Sequence, residues 1–153
     1  MAGPNSSSVL DLFRLDGRTA LVTGGGQGIG RAFCIALAQA GAGVAVVDMN
    51  IDAAQAVAKE VRNTGAPSMA IEANVTDPDG VDAAVKRVVD NWGGLTIAVN
   101  NAGISQWIDA ESSSLEEWRS VLSVNLDGVF VCCKAEARVM LQAGYGKISA
   151  MIR

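Results

Sequence analysis

Apolar residues along this chain follow two rhythms. Five short runs have the length and apolar content of strands: Arg18–Thr23 (RTALVT), Gly43–Asp48 (GVAVVD), Ser68–Ala73 (SMAIEA), Leu95–Val99 (LTIAV) and Gly146–Ile152 (GKISAMI). Between them the apolar positions spread to a helical period. Ile29, Phe33, Ile35, Leu37 and Ala40 mark a helix from Ile29 to Ala40 that stops at Gly41. Asp52–Thr64 is an Ala-rich helix closed by Gly65. Asp77 caps a third helix, with Pro78 at the first helical position, and that helix runs to about Trp92 before Gly93-Gly94. Ser114-Leu115-Glu116-Glu117 has capping-box spacing and opens a long helical region reaching about Ala143. Within it Val129, Phe130, Val131, Cys132 and Cys133 are consecutive, which predicts burial on more than one side.

Strands that alternate with helices imply a parallel sheet covered on both faces, joined by right-handed crossovers. The expected fold is therefore α/β: a Rossmann-type doubly wound parallel sheet of about five strands, C-terminally incomplete because the fifth strand is cut short. Residues 1–12, with Pro4 and the Ser6–Ser8 run, are expected to form a flexible tail. Residues 13–153 then make one dinucleotide-binding domain, a size that suits a single core.

Composition narrows the function classes. Half of the residues are apolar and 18% are charged, so the chain is expected to fold. The net charge is −4 and no basic stripe is evident, which argues against nucleic acid as a partner. There is no histidine, which removes His-based triads and His metal sites. Cys34, Cys132 and Cys133 are odd in number and form no CxxC pattern, so free thiols in a reducing compartment are expected. No secretory signal and no long unbroken apolar run is seen, so the expectation is a cytoplasmic protein without a membrane partner.

Residues 23–30 read TGGGQGIG, with five glycines in eight positions. They stand where the first strand hands over to the first helix. A helix N-terminus offers unpaired N–H groups and the positive end of a dipole, and glycine lets the backbone approach a phosphate closely. A lone GxGxxG is also compatible with an ordinary Gly-rich turn. Here the context adds to it, because the next strand ends in Asp48, where a carboxylate can accept hydrogen bonds from the ribose hydroxyls of an adenosine. The same charge repels a 2′-phosphate, which favours NAD over NADP. No Lys-Ser or Lys-Thr follows the glycines, which disfavours a P-loop.

The spacing T-G-x-x-x-G-I-G resembles the cofactor fingerprint of the short-chain dehydrogenase/reductase family, and three further stretches match it in order. Asn100-Asn101-Ala102-Gly103 resembles the family's NNAG. Asn74-Val75 falls where the family usually has Asp-Val beside the adenine. Val124-Asn125-Leu126-Asp127-Gly128 resembles the segment that carries a catalytic Asn. The likeness runs from about Leu12 to Lys147. It implies an NAD(H)-dependent oxidoreductase of a secondary alcohol or carbonyl, with a sugar or polyol as one candidate. It places Gly24, Gln27, Gly28, Ile29, Gly30, Asp48, Asn74, Val75, Asn101, Ala102 and Gly103 around the cofactor. Asn74, in place of Asp, is expected to accept from the adenine amino group through its carbonyl oxygen. Asn125 is implied to mark a helix kink whose freed backbone carbonyl holds a water in the proton relay. The resemblance also implies a homo-oligomer packed through the 115–143 helix.

The family's chemistry further needs a Tyr and a Lys in a Tyr-x-x-x-Lys helical face, with a Ser upstream. Tyr145 is the sole tyrosine and Lys147 follows by two positions, so the pair cannot share a helix face and reads as connector. Ser149 is the one candidate for the Ser. Ile104-Ser105-Gln106-Trp107 is expected on the substrate side of the cleft, with Gln106 and Trp107 suited to a hydroxylated carbon chain. The chain therefore reads as a cofactor-binding front without its catalytic back, inactive alone. Whether it is a truncation product, a fragment or a mis-ended gene stays open, as does a purely dinucleotide-binding or dimerising role. A methyltransferase or other Rossmann-like binder is disfavoured by the NNAG and VNLDG matches.

Overall fold

Thr19–Thr23 (β1) lies at the centre of a sheet with apolar side chains on both of its faces. The computed structural model describes residues 8–151. After β1 come α1 (Gly28–Gln39), β2 (Gly43–Asp48), α2 (Ile51–Asn63), β3 (Ser68–Glu72), α3 (Pro78–Trp92), β4 (Ile97–Asn100), α4 (Leu115–Leu122), α5 (Gly128–Ala143) and β5 (Lys147–Ala150). The sheet order is β3-β2-β1-β4-β5 and every neighbouring pair is parallel. The α/β doubly wound expectation holds.

Period-two alternation along the strands builds two cores. Ala20, Val22, Val44 and Val46 pack with Cys34 of α1 and with Ala54, Val57 and Val61 of α2. Leu21, Ala45, Val47 and Ala98 pack with Val81, Val85 and Val88 of α3 and with Cys132, Ala135 and Met140 of α5. Val44 and Val46 are fully buried, and burying each such side chain contributes roughly 1.5–3 kcal/mol.

Several boundaries differ from expectation for local reasons. The fourth strand begins at Ile97, not Leu95. Leu95 is buried in the α3–α5 core, and Thr96 satisfies the strand end through its side chain. Its hydroxyl accepts from the Thr19 N–H and donates to the Thr19 carbonyl, both at 2.9 Å. The fifth strand is Lys147–Ala150 within the expected Gly146–Ile152, whose last residue lies outside the described ones. Of the tail expected over 1–12, residues 1–7 also lie outside the described residues, while Val9–Phe13 forms a 3-10 helix capped by Ser8.

The long helical region is not continuous. A π-helical turn, Ser123–Asp127, separates α4 from α5, and the Gly128 N–H reaches back five residues to the Ser123 carbonyl. Within one chain, α5 is buried along one stripe. Gly128, Cys132, Ala135, Glu136 and Met140 form one buried stripe, whereas Phe130 is 66% exposed. That side of α5 meets the sheet and α3, and among the described residues Phe130 on the other side stays open to solvent. Among the described residues no helix is long and apolar enough to cross a membrane, and no His, Cys, Asp and Glu cluster suits a metal.

Candidate functional site

The strand order reverses between β1 and β4: β2 and β3 lie to one side of β1, β4 and β5 to the other. Crevices at such switch points, beyond the carboxyl ends of the strands, are where open α/β sheets bind ligands. A cleft of about 610 Å³ lies at this place. Ten of the eleven predicted cofactor residues line it: Gly24, Gln27, Gly28, Ile29, Asp48, Asn74, Val75, Asn101, Ala102 and Gly103. Gly30 is the exception and sits beneath the wall.

The glycine run forms the wall. Gly28 has φ +53°, a left-handed conformation, and a Cβ there would project into open space. Gly30 is held by close approach, since a Cβ would lie 2.0 Å from the Gly24 carbonyl oxygen. Gln27 caps α1 without any side-chain hydrogen bond to the first turn. The first N–H groups of a helix are satisfied by a cap, by water or by a ligand, and here no cap competes.

Asp48 closes β2 and is fixed by backbone. One carboxylate oxygen accepts from the Gly26 N–H at 2.9 Å and the other from the Asn50 N–H at 3.0 Å. A carboxylate oxygen has two acceptor sites, so each keeps one for a ligand hydroxyl. The glycine loop and the carboxylate therefore hold each other in place.

The floor is the Asn100–Gly103 turn. Thr23 Oγ1 accepts from the Asn101 and Ala102 N–H groups, both at 3.1 Å. The Asn101 side-chain amide donates to the carbonyls of Thr23 and Gly24, again at 3.1 Å. One buried asparagine thus ties the end of β4 to the start of the glycine loop.

Asn74 corrects an expectation. Its Oδ1 already accepts from the Thr76 N–H at 3.0 Å and the Thr76 hydroxyl at 2.9 Å. With both acceptor sites engaged, the atom left for a ligand is Nδ2, a donor. Asn125 stands in the π-helical turn, an irregularity at the position where a kink is expected. Its side chain is spent on the loop after the turn: Oδ1 accepts from the Ile104 N–H and Nδ2 donates to the Ile104 carbonyl, each at 2.9 Å. Asn125 is not itself on the cleft wall, though Val124 is.

The catalytic candidates lie apart from the cleft. Ser149 is exposed in β5 opposite Val99 and does not line the cleft. Lys147 opens β5 opposite Ile97, three residues, or roughly 10 Å, from the carboxyl end. The Tyr145 ring is stacked 4.4 Å from the Arg18 guanidinium just before β1, at the end of the sheet opposite the cleft. Tyr145 lies in the connector before β5, as expected, whereas Lys147 is the first residue of the strand itself. Of the stretch expected on the substrate side, Ile104 lines the cleft, whereas Gln106 and Trp107 do not, and Trp107 is 99% exposed.

Sequence reasoning missed Val47, Met49, Asn50, Ala73 and Val124 as cleft residues. Each adjoins a recognised motif position, and that adjacency was the available signal. It also missed Glu136, fully buried and hydrogen-bonded to Asn100 at 2.8 Å. Cys34 and Cys132 are free and buried, and burial pushes both thiols up to about 12. They pack as small apolar groups and are no nucleophiles.

Comparisons with known proteins bear on the family and the fold. A family profile described as short chain dehydrogenase matches residues 18–151. A D-threitol dehydrogenase of Mycolicibacterium smegmatis is 41% identical over 139 residues, covering 91% of this chain and 54% of that protein. A cyclohexanol dehydrogenase of Acinetobacter is 40% identical over 136 residues, with 88% and 54% covered. The crystal structure of a short-chain type dehydrogenase/reductase from Mycobacterium marinum superposes with a TM-score of 0.90 at 41% identity, covering 93% of this chain and 58% of that one. The chain thus spans about half the length of the curated relatives it matches. With the profile running through all five strands, the chain belongs to the short chain dehydrogenase family.

Proposed function

We propose that this chain is the cofactor-binding part of an NAD(H)-dependent oxidoreductase that acts on a secondary alcohol or the matching carbonyl. The observation that carries the reading is the uncapped first turn of α1, set in a glycine wall that a Cβ at Gly30 would break and facing the same cleft as Asp48. The N–H groups of that turn would hold the diphosphate, and Asp48 the hydroxyls of the adenosine ribose. Asn74 would meet the base as a donor through Nδ2. Asn101, Ala102 and Gly103 leave room for the nicotinamide end over a floor fixed by Thr23. When bound, the dinucleotide supplies the hydride acceptor or donor. Asn125 orients the loop at Ile104 on the substrate side.

Two relatives are named for alcohols, one a polyol, which supports a secondary alcohol, with a sugar or polyol as the narrower candidate. These 153 residues hold no Tyr-x-x-x-Lys, so the chain alone binds dinucleotide without turning alcohol over. A cytoplasmic homo-oligomer packed through residues 115–143 completes the proposal. Trp118, Leu126 and Phe130 are each more than half exposed in that region.

Calorimetric titration of the purified chain with NAD and with NADP tests the reading. Saturable binding that is tighter for NAD is expected. No binding of either dinucleotide by folded chain overturns it. Protein-dependent NADH production from an alcohol would overturn the absence of turnover and leave the binding proposal intact.

A further inference from the structure

Glu136 is the most deeply buried charged residue described, with no exposed surface. An ionised carboxylate there would need a cation or several donors. Its surroundings supply neither. Thr23 of β1, Val47 of β2, Val75 after β3, Val81 and Val85 of α3 and Cys132 of α5 line a void of about 10 Å³ beside it. The titratable groups facing it are the Cys132 and Cys133 thiols of its own helix. From α3, Asp82 points outward to Arg138 at the surface. From β5, Lys147 is exposed at the far end of its strand.

One donor reaches the carboxyl: Asn100 Nδ2 lies 2.8 Å from Glu136 Oε2. Two buried side-chain atoms have no partner among the described residues, and they are the remaining oxygens of these same two groups, Glu136 Oε1 and Asn100 Oδ1. Both are acceptors if the carboxyl is ionised, so neither can satisfy the other. A single proton resolves both. A carboxylic acid donates to Asn100 Oδ1 while Asn100 Nδ2 donates back, giving an uncharged reciprocal pair.

We propose that Glu136 is held as a neutral carboxylic acid, doubly hydrogen-bonded to Asn100, and is the positioning residue for the Asn100–Gly103 turn on the cleft floor. Burial pushes this carboxyl up to about 7, in the same direction. Because the folded value lies above the usual carboxylate range, folding takes up a proton between that range and about 7. The associated stability is fully present below the usual range and is lost as pH rises through the folded value. Ionisation removes the bond to Asn100 Oδ1, keeps the one from Asn100 Nδ2, and leaves two buried acceptor oxygens unpaired beside the turn that leads into Asn101 and Ala102.

Infrared difference spectra of the whole chain, wild type minus E136Q, test the proton directly. A protonated-carboxyl stretch at about pH 5 that disappears by about pH 9 is expected. Its absence from folded protein at the lower pH overturns the proposal. The positioning role rests on the dinucleotide reading and is tested by NAD titration across the same pH range. Wild-type affinity is expected to fall as Glu136 ionises. E136Q, which keeps one donor and one acceptor for Asn100, binds within about twofold of the wild type at low pH and loses that pH dependence. E136M, with no polar atom, binds about tenfold more weakly. Failure of E136Q to rescue, or an unchanged pH profile in E136Q, overturns the positioning role. If the wild type binds no dinucleotide, the cofactor reading fails while the infrared result still decides the proton. If E136M does not fold, E136Q and the pH profile carry the test.

Discussion

β2 and β5 are parallel strands of one sheet, yet they live in different surroundings. Five of the six residues of β2 are buried and the sixth, Asp48, is half-buried at the cleft. All four residues of β5 are exposed. The contrast extends to the helices. α1 and α2 close a core with β1 and β2 on one face, while the α4–α5 side leaves Trp118, Phe130 and Leu141 to solvent. Burial stabilises in proportion to area removed from water, so β2, packed into a core on each of its faces, contributes more than the exposed β5 and holds the cleft wall. The β5 side contributes pairing and an uncovered apolar surface, the kind that invites a partner.

The largest test of that contrast is Gly30→Ala. Its Cβ would lie 2.0 Å from the Gly24 carbonyl, a backbone atom that cannot move without displacing the cleft wall. A loss of more than about 3 kcal/mol in urea unfolding is expected, together with loss of dinucleotide binding. A fully stable variant would mean the wall is softer than the geometry implies. Next comes a matched pair of truncations. Val46→Ala in β2 removes two fully buried methyl groups and is expected to cost about 2 kcal/mol. Ile148→Ala in β5, where the side chain is 38% exposed, is expected to cost under about 1 kcal/mol. Equal costs would break the comparison. Asp48→Ala follows, at about 1.4 kcal/mol or tenfold in NAD affinity, with a smaller change for NADP. Equal loss for both would take Asp48 out of ribose recognition.

Elements on both faces of the sheet are legible in the sequence where turn residues bracket them. β2 was read at its observed bounds because its apolar run is bracketed by Gly43 and Asp48. α3 was read likewise from Asp77-Pro78 and Gly93, the last with φ +78°. Punctuation of this kind is local chemistry, so it survives without knowledge of neighbours. The π-helical turn within 115–143 was anticipated as a kink at Asn125 through the family resemblance, since nothing in the apolar period marks an extra residue per turn. Glu136 was invisible for a different reason. A lone glutamate reads as solvent-facing by residue type; its place on the Gly128–Cys132–Met140 stripe points it inward, and the pairing with Asn100, 36 positions away, accommodates it there. Asn74 lines the cleft, but its donor orientation depends on Thr76, a contact that motif spacing does not encode.

The smallest prediction concerns the seam along which α5 meets α3. Arg138 of α5 approaches Asp82 of α3 at 3.2 Å, and both side chains are about half exposed, at 53% and 49%. Water and salt screen such a pair, so its coupling should fall within roughly 0.2–1 kcal/mol. A double-mutant cycle with Arg138→Ala and Asp82→Ala, read from urea midpoints at low ionic strength, measures it. Repeating the cycle at high salt should bring the coupling toward zero. That outcome would leave α5 held by the packing of Cys132, Ala135 and Met140 against the sheet and α3. A larger, salt-resistant coupling would instead mean that the α5 side is clamped by charge. The contrast between the buried β2 and the exposed β5 edge beside α5 would then have to be redrawn around that ion pair.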